Sequence, residues 1–247
     1  MTPKPRKARL DVVLVERGLF PSREQAQRAI MAGEIRVGEQ LVDKPSASVV
    51  AAAEIRVQAP PPFVGRGGIK LEGALRHFEI SVAGLTALDV GASTGGFTEC
   101  LLQQGARKVY AIDVGHGQLA WKIRNDPRVI VREKLNARFL TRADIPDPID
   151  LAVADVSFIS LTLILPNVFE LVTPNGMVLA LIKPQFELRA ADVGKGGIVR
   201  ETDLHEKAQE KIRAFVLAAG HTVEGIVPSQ IAGTDGNLEF FICVRKK

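Results

Sequence analysis

The chain has only two cysteines, Cys100 and Cys243, and four histidines in 247 residues. Two cysteines cannot build a disulfide framework, and neither lies in a CxxC or Cys/His spacing, so both read as small apolar core residues. His77, His116, His205 and His221 are dispersed, so no metal site is expected. Long apolar runs are also missing. The longest, Gly176 to Ile182, falls far short of the roughly 20 residues that cross a bilayer. The opening MTPKPRKARLDVVLVERG has a basic lead-in, but its apolar stretch stops at Val15, too soon for a secretory signal. No membrane partner is expected, and the expected location is the cytoplasm. Aromatics are sparse, with Tyr110, Trp121 and 11 phenylalanines. Such a chain lacks a stacking signature for single-stranded RNA and favours recognition of shape and phosphate. What is present is ordinary globular composition, 46% apolar and 24% charged. The net charge of +4 is unevenly placed: the first 62 residues hold ten Lys/Arg against seven Asp/Glu, the remainder 22 against 21. A basic front suits a module that meets a polyanion. Lys4, Arg6 and Lys7 alone read as a solvated tail.

The prolines of Ala59-Pro-Pro-Pro-Phe63 forbid helix and ladder pairing and mark a boundary. Ahead of it, Arg9 to Arg17 reads as a short helix stopped by Gly18. Ser22-Arg-Glu-Gln25 reads as a capping box that opens a second helix, which Gly33 ends. Residues 34–37, 41–42 and 54–57 read as short strands. Arg9-Leu10-Asp11, Ser22-Arg23 and Gly33-x-Ile-x-Val37 together resemble the small RNA-binding module named after ribosomal protein S-four. The resemblance implies two helices on a small sheet, with Arg9, Arg23 and Arg28 facing RNA.

Beyond Ala83, short apolar strands alternate with helical stretches. The strands are expected at 86–90, 109–114, 129–132, 151–155 and 177–182, and the helices at 97–104, 117–124 and 161–172. This rhythm means a mainly parallel sheet covered on both faces. A helix from Asp203 to Gly220 and two last strands follow, and such finishing strands commonly run antiparallel at the edge. The first strand ends in Asp89-Val-Gly-Ala-Ser-Thr-Gly-Gly-Phe97, a glycine-rich turn into a helix. Glycines there let a ligand approach the backbone and the helix start. The next strand ends at Asp113, where a carboxylate can accept ribose hydroxyls. A glycine turn plus a downstream acid fits a nicotinamide cofactor or S-adenosylmethionine. The spacing here is Gly91-x-x-x-Gly95-Gly96, not GxGxxG, and with Asp89 before it, it resembles the motif of S-adenosylmethionine-dependent methyltransferases. That resemblance assigns the cofactor to Asp89, Gly91, Ser93, Gly95, Gly96, Phe97 and Asp113.

Lys70 precedes the first strand, Asp155 and Lys183 end later ones, and Glu239 sits in the last. This set resembles the Lys-Asp-Lys-Glu tetrad of FtsJ-type ribose 2′-O-methyltransferases. With the front module and the run KPQFELRAADVGKGGIVR, the chain resembles the TlyA (hemolysin A) family across its whole length. The implied fold is α/β, a Rossmann-like S-adenosylmethionine-dependent methyltransferase domain preceded by a small α+β RNA-binding domain. Its sheet is mostly parallel with an antiparallel final strand. The expected boundaries are 1–58 for the RNA-binding domain, 59–66 for the Pro-rich linker and 67–247 for the methyltransferase domain. The implied partner is ribosomal RNA or a ribosomal subunit, with Arg66 in the linker added to the RNA-facing set. One departure is Gly65, where the family usually carries a serine.

A ribose hydroxyl is a poor nucleophile, so methyl transfer from a sulfonium needs in-line alignment and help for the departing proton. Lys183 is the expected source of that help. Nearby cations favour its neutral amine and nearby carboxylates its ammonium, so roles as base and as orienting cation both stand. Gly194-Lys-Gly-Gly197 lacks the phosphate-loop pattern and reads as a flexible loop near the substrate or a plain surface loop. Two other classes compete: a membrane-lysing protein, opposed by the absence of a long apolar or strongly amphipathic basic helix, and a catalytically idle RNA-binding or ribosome-assembly factor.

Overall fold

A computed structural model describes residues 7–58, 62–233 and 236–247. Lys4, Arg6 and the core of the proline spacer, Pro60 and Pro61, lie outside the described residues. The chain divides into two compact units, Met1–Pro62 and Phe63–Lys247.

In the smaller unit, strand β1 (Lys7–Arg9) leads into helix α1 (Leu10–Glu16), and helix α2 (Arg23–Met31) follows. Ser22 Oγ accepts the Gln25 backbone N–H at 3.3 Å, the cap that the sequence pattern predicts. The reciprocal bond from the Gln25 side chain does not form. Leu10, Val13 and Leu14 of α1 pack on Ala26, Ala29 and Ile30 of α2, helical spacings that bury one stripe of each. Strands β2 (Ile35–Val37), β3 (Gln40–Leu41) and β5 (Ile55–Val57) make an antiparallel sheet, and β4 (Ser48–Val50) pairs with β1. The β1–β4 pair went unread in the sequence because each strand is only three residues long, too short for a period of two to be recognised.

In the larger unit, helix α3 (Gly67–His77) precedes strand β6 (Thr86–Val90), followed by α4 (Gly96–Gln103), β7 (Lys108–Asp113), α5 (Trp121–Arg124), β8 (Val129–Glu133) and β9 (Ile149–Ala154). Next come α6 (Leu165–Leu171), β10 (Val172–Ile182), α7 (Pro184–Glu187), α8 (Thr202–Ala218), β11 (Thr222–Pro228) and β12 (Phe240–Arg245). The seven strands order as β11-β12-β10-β9-β6-β7-β8. The five from β10 to β8 are parallel, and β12 runs antiparallel to both neighbours. The antiparallel strand is therefore inserted between β10 and β11 instead of forming the rim.

Every residue of β6 is buried, because helices cover both faces of a parallel sheet. On one face α3 and α4 place Leu71, Leu75 and Leu101; on the other α6 and α8 place Val168, Ile212 and Val216. Pro166 stands in the first turn of α6, where its missing N–H costs nothing. Phe63, grouped by composition with the proline spacer, is buried in the core of this unit. The chain passes from β6 to β7 and β8 on one side, then returns to β9 on the other. The carboxyl ends of β6 and β9 thus flank the switch point at which open α/β sheets bind ligands.

Candidate active site

The crevice begins with backbone. Asp155 N–H donates to Val90 O at 3.0 Å, so the chains leaving β6 and β9 start side by side. Gly91 follows with φ +87°, and a Cβ there would stand 2.4 Å from Asp155 O. Only glycine satisfies both the left-handed backbone and that approach. Gly95, at φ +98°, starts α4 with Leu119 and Ile123 close by, and Ser93 holds φ +49°. Gly91→Ala is expected to splay β6 from β9 and lower the melting temperature in thermal unfolding.

Asp113 ends β7, with one carboxylate oxygen accepting Ser93 N–H at 2.8 Å and the other Gly115 N–H at 2.6 Å. Those bonds fix the carboxylate beside the glycine turn while free lone pairs remain for a diol. They also explain why residues 114–120 are irregular and α5 starts only at Trp121, where the glycine-to-arginine stretch read as one helix. Glu133 holds the same turn through Gly117 N–H and His116.

Asp89 lies beneath the turn, fully buried. Thr98 Oγ1–H donates to one of its oxygens at 2.6 Å, and the other has no partner. Burial, helped by the negative charges of Asp155 and Asp113, pushes the Asp89 carboxyl up to about 7. The native state therefore holds this proton more tightly than the unfolded chain, whose aspartates titrate near ~3.9. Stability should decline as pH rises between those two values and level off above the higher one. Melting temperatures across that range should show a shallower decline in Asp89→Asn than in the unsubstituted protein.

The four separated residues of the tetrad converge. Lys70 Nζ meets Glu239 Oε2 at 2.5 Å, with side chains only 9% and 4% exposed. Lys183 Nζ meets Asp155 Oδ1 at 2.6 Å, an ion pair whose angles fall outside those of a hydrogen bond, and donates to Ser157 Oγ at 3.0 Å. Both pairs line one cavity of about 300 Å³ with Gly91, Ser93 and Phe97. A second cavity of about 440 Å³, lined by Asp113, Asn136 and Phe158 among others, shares Gly91, Ser93 and Asp155 with the first. Gly96 does not lie open to the cleft alone: a Cβ there would press on Gly65 O and Gly68 N at 3.0 Å, so it also allows α3 to approach α4.

Arg66 belongs to this cavity, its guanidinium donating to Ala232 O at 2.7 Å from an exposed position. A Cβ at Gly65 would stand 2.7 Å from Thr94 Oγ1, so a serine there requires Thr94 to turn away. The glycine loop 194–197 is tied down, with Asn237 accepting Val199 N–H and donating to Gly197 O, both at 2.9 Å. Sequence reading missed Ser157 and Phe158. Phe158 is 91% exposed at φ +63° beside the second cavity, and its place three residues after Asp155 at a strand exit was the available signal.

In the smaller unit, Asp11 is fully buried and accepts from Arg9 at 2.9 and 3.0 Å, Arg23 at 3.0 Å and Gln27 at 2.7 Å. These donors hold its carboxyl well below the ordinary range, the Arg9 bond foremost. Arg9 and Arg23 are half exposed and arrayed by one anchor, and Arg28 is exposed on α2. Burial pushes the thiols of Cys100 and Cys243 up to about 12, which leaves them unreactive. Among the described residues no His, Cys, Asp and Glu cluster suits a metal, and no helix is long and apolar enough to cross a membrane.

The larger unit has the fold of S-adenosylmethionine-dependent methyltransferases. It is shared at 15% identity with one from Listeria monocytogenes, with a TM-score of 0.55 over 74% of this chain and all of the other. Residues 63–246 match the FtsJ-like methyltransferase family and residues 8–55 the S4 domain. The chain belongs to the TlyA-type family of rRNA methyltransferases, which joins these two modules. The 16S/23S rRNA (cytidine-2′-O)-methyltransferase TlyA of Mycobacterium tuberculosis is 44% identical over 97% of this chain and 90% of its own length. Hemolysin A of Brachyspira hyodysenteriae is 42% identical over 94% of this chain and 97% of its own. A solved structure of a hemolysin-named protein from Streptococcus thermophilus superposes with a TM-score of 0.76 at 43% identity, covering 98% of this chain and 90% of that one.

Proposed function

We propose that this protein transfers a methyl group from S-adenosylmethionine to a ribose 2′-hydroxyl of ribosomal RNA, acting in the cytoplasm with its front unit as the RNA anchor. The observation that carries the reading is the meeting of Lys183–Asp155 and Lys70–Glu239 in one cavity beside the glycine turn. The cleft fits the donor: backbone at Gly91 and Gly95 leaves no room for side chains, and the Asp113 carboxylate is fixed where a ribose diol needs acceptors. When bound, S-adenosylmethionine supplies an electrophilic methyl carbon on a sulfonium. Gly91, Ser93, Gly95 and Asp113 would hold it, with Gly96 and Phe97 opening the helix beneath.

The chain's own residues then act on the hydroxyl. Asp155 and Ser157 hold the Lys183 ammonium from two sides, which leaves it an N–H to direct at the substrate oxygen. The Lys183–Asp155 pair works as a unit that aligns the hydroxyl and offsets the charge that develops as its proton passes to solvent water at the open cleft. Lys70, locked by Glu239, adds fixed positive potential on the same cavity wall. Arg66 at the mouth suits a backbone phosphate, and Phe158 offers an exposed ring to a base.

In the front unit, Arg28→Ala should weaken binding to rRNA across sequences. The slope of log affinity against log salt should fall by about 0.9 for one lost phosphate contact. The function itself is tested by incubating the protein with S-adenosylmethionine labelled in the methyl group and purified ribosomal subunits. Label should enter rRNA. An absence of incorporation, with vesicle leakage or bare RNA binding instead, would select the lytic or the idle binding class.

A further inference from the structure

Lys183 and Asp155 stand at the exits of β10 and β9, and a second bracket joins the same two exits a few residues downstream. Helix α7 begins directly after Lys183, and its last residue, Glu187, is buried. One Glu187 oxygen accepts Leu161 N–H at 2.7 Å; the other accepts Ser160 Oγ–H at 2.5 Å and the Lys211 ammonium at 2.9 Å. Lys211 reaches in from α8 and also donates to Ser160 Oγ at 3.2 Å and to the Glu187 carbonyl at 2.7 Å. The segment 156–160 is thereby clamped at both ends, by Asp155 at the strand exit and by Glu187 at the far side.

Inside the clamp lie the groups that face the cleft. Ser157 accepts the Lys183 ammonium at 3.0 Å. Phe158 sits at φ +63°, a conformation that a bulky L-residue adopts only where its surroundings impose it. Its ring is 5.0 Å from that of Phe186, the residue before Glu187. A carboxylate that only needed burial partners could sit anywhere along α7. This one spans the two loops that carry the reacting pair.

We propose that Glu187 is a positioning residue: its carboxylate, set by Lys211, fixes segment 156–160 so that Asp155 and Ser157 hold the Lys183 ammonium in its working direction. The proposal rests on the reading of Lys183 as the group that acts on the hydroxyl. Glu187→Gln keeps an acceptor for Leu161 but brings an amide to Lys211 and Ser160; Lys211→Met removes the cation and leaves the carboxylate.

The experiment compares the full-length unsubstituted protein, Glu187→Gln and Lys211→Met by steady-state methyl transfer to ribosomal subunits across pH, by calorimetry with S-adenosylmethionine, and by melting. Glu187→Gln should lower kcat by about ten- to a hundred-fold, the scale of a sub-ångström to ångström misplacement of reacting groups. Its donor affinity should fall less than kcat does: residues 156–159 border the cavity of Asp113, but the bonds that fix the Asp113 carboxylate come from Ser93 and Gly115, outside the clamp. Its pH–rate profile should shift, since the Lys183 surroundings change, and Lys211→Met should show the same pattern with a smaller loss. Unchanged kcat and pH profile in folded Glu187→Gln would overturn the proposal, as would a loss that merely tracks the unfolded fraction. Inactivity of the unsubstituted protein on every RNA would instead overturn the reading beneath it.

Discussion

Lys183→Ala should lower kcat for methyl transfer by about 10²- to 10⁴-fold, the range over which a positioned group assisting proton departure acts. Donor affinity should change little, because the bonds that fix the glycine turn and Asp113 come from Ser93 and Gly115, while Lys183 is held by Asp155 and Ser157. Truncation also leaves Asp155 without its cation at 2.6 Å, so the cavity turns more negative where alkoxide charge must develop. Lys183→Arg should recover little. The planar guanidinium cannot take the place of a compact ammonium held between Asp155 and Ser157. Single-turnover rates with saturating donor separate this chemical defect from one in binding.

The second large effect concerns the buried pair. Glu239→Leu alone strands the Lys70 ammonium in a wall where it is 9% exposed. Breaking a buried pair in this way costs about 3–5 kcal/mol. At about 2–4 °C per kcal/mol for a domain of this size, the melting temperature should fall by roughly 6–20 °C. Lys70→Met combined with Glu239→Leu removes both charges, and such exchanges are commonly neutral or stabilising. The double variant should melt near the unsubstituted protein yet remain severely impaired in transfer. Recovered stability with full activity would make the pair a packing device without a catalytic part.

The sequence carried the strand rhythm and the turn from Asp89 to Phe97, because both depend on local spacing: a run of apolar residues, a glycine where the backbone must turn left-handed, an acid at the next strand end. Gly91, Ser93 and Gly95 do have positive φ, and Asp113 stands at the end of β7. The tetrad was different. Lys70 and Glu239 lie 169 residues apart, and no spacing rule joins them; they entered through family resemblance. Side-chain anchors over long separations were not legible at all. Glu187 and Ser160 are 27 residues apart, and nothing in either segment announces a buried carboxylate. The inserted β12 was hidden for a related reason, since an antiparallel final strand has the same pattern at an edge as between two neighbours.

Arg66 illustrates a placement that composition misdirected. Its proximity to the prolines grouped it with a spacer, yet Phe63 is buried three residues earlier and draws the following chain onto the larger unit. The arginine consequently borders the cavity of Lys70.

The central claim is that the methyl group goes to a ribose oxygen, and alkaline hydrolysis of the labelled rRNA tests it most directly. Strand cleavage in alkali requires a free 2′-hydroxyl, so a 2′-O-methylated nucleotide resists cleavage on its 3′ side. Label should be recovered in alkali-resistant dinucleotides and should disappear from RNA treated with the Lys183→Ala variant. Label recovered in mononucleotides, with the methyl on a base, would contradict the account.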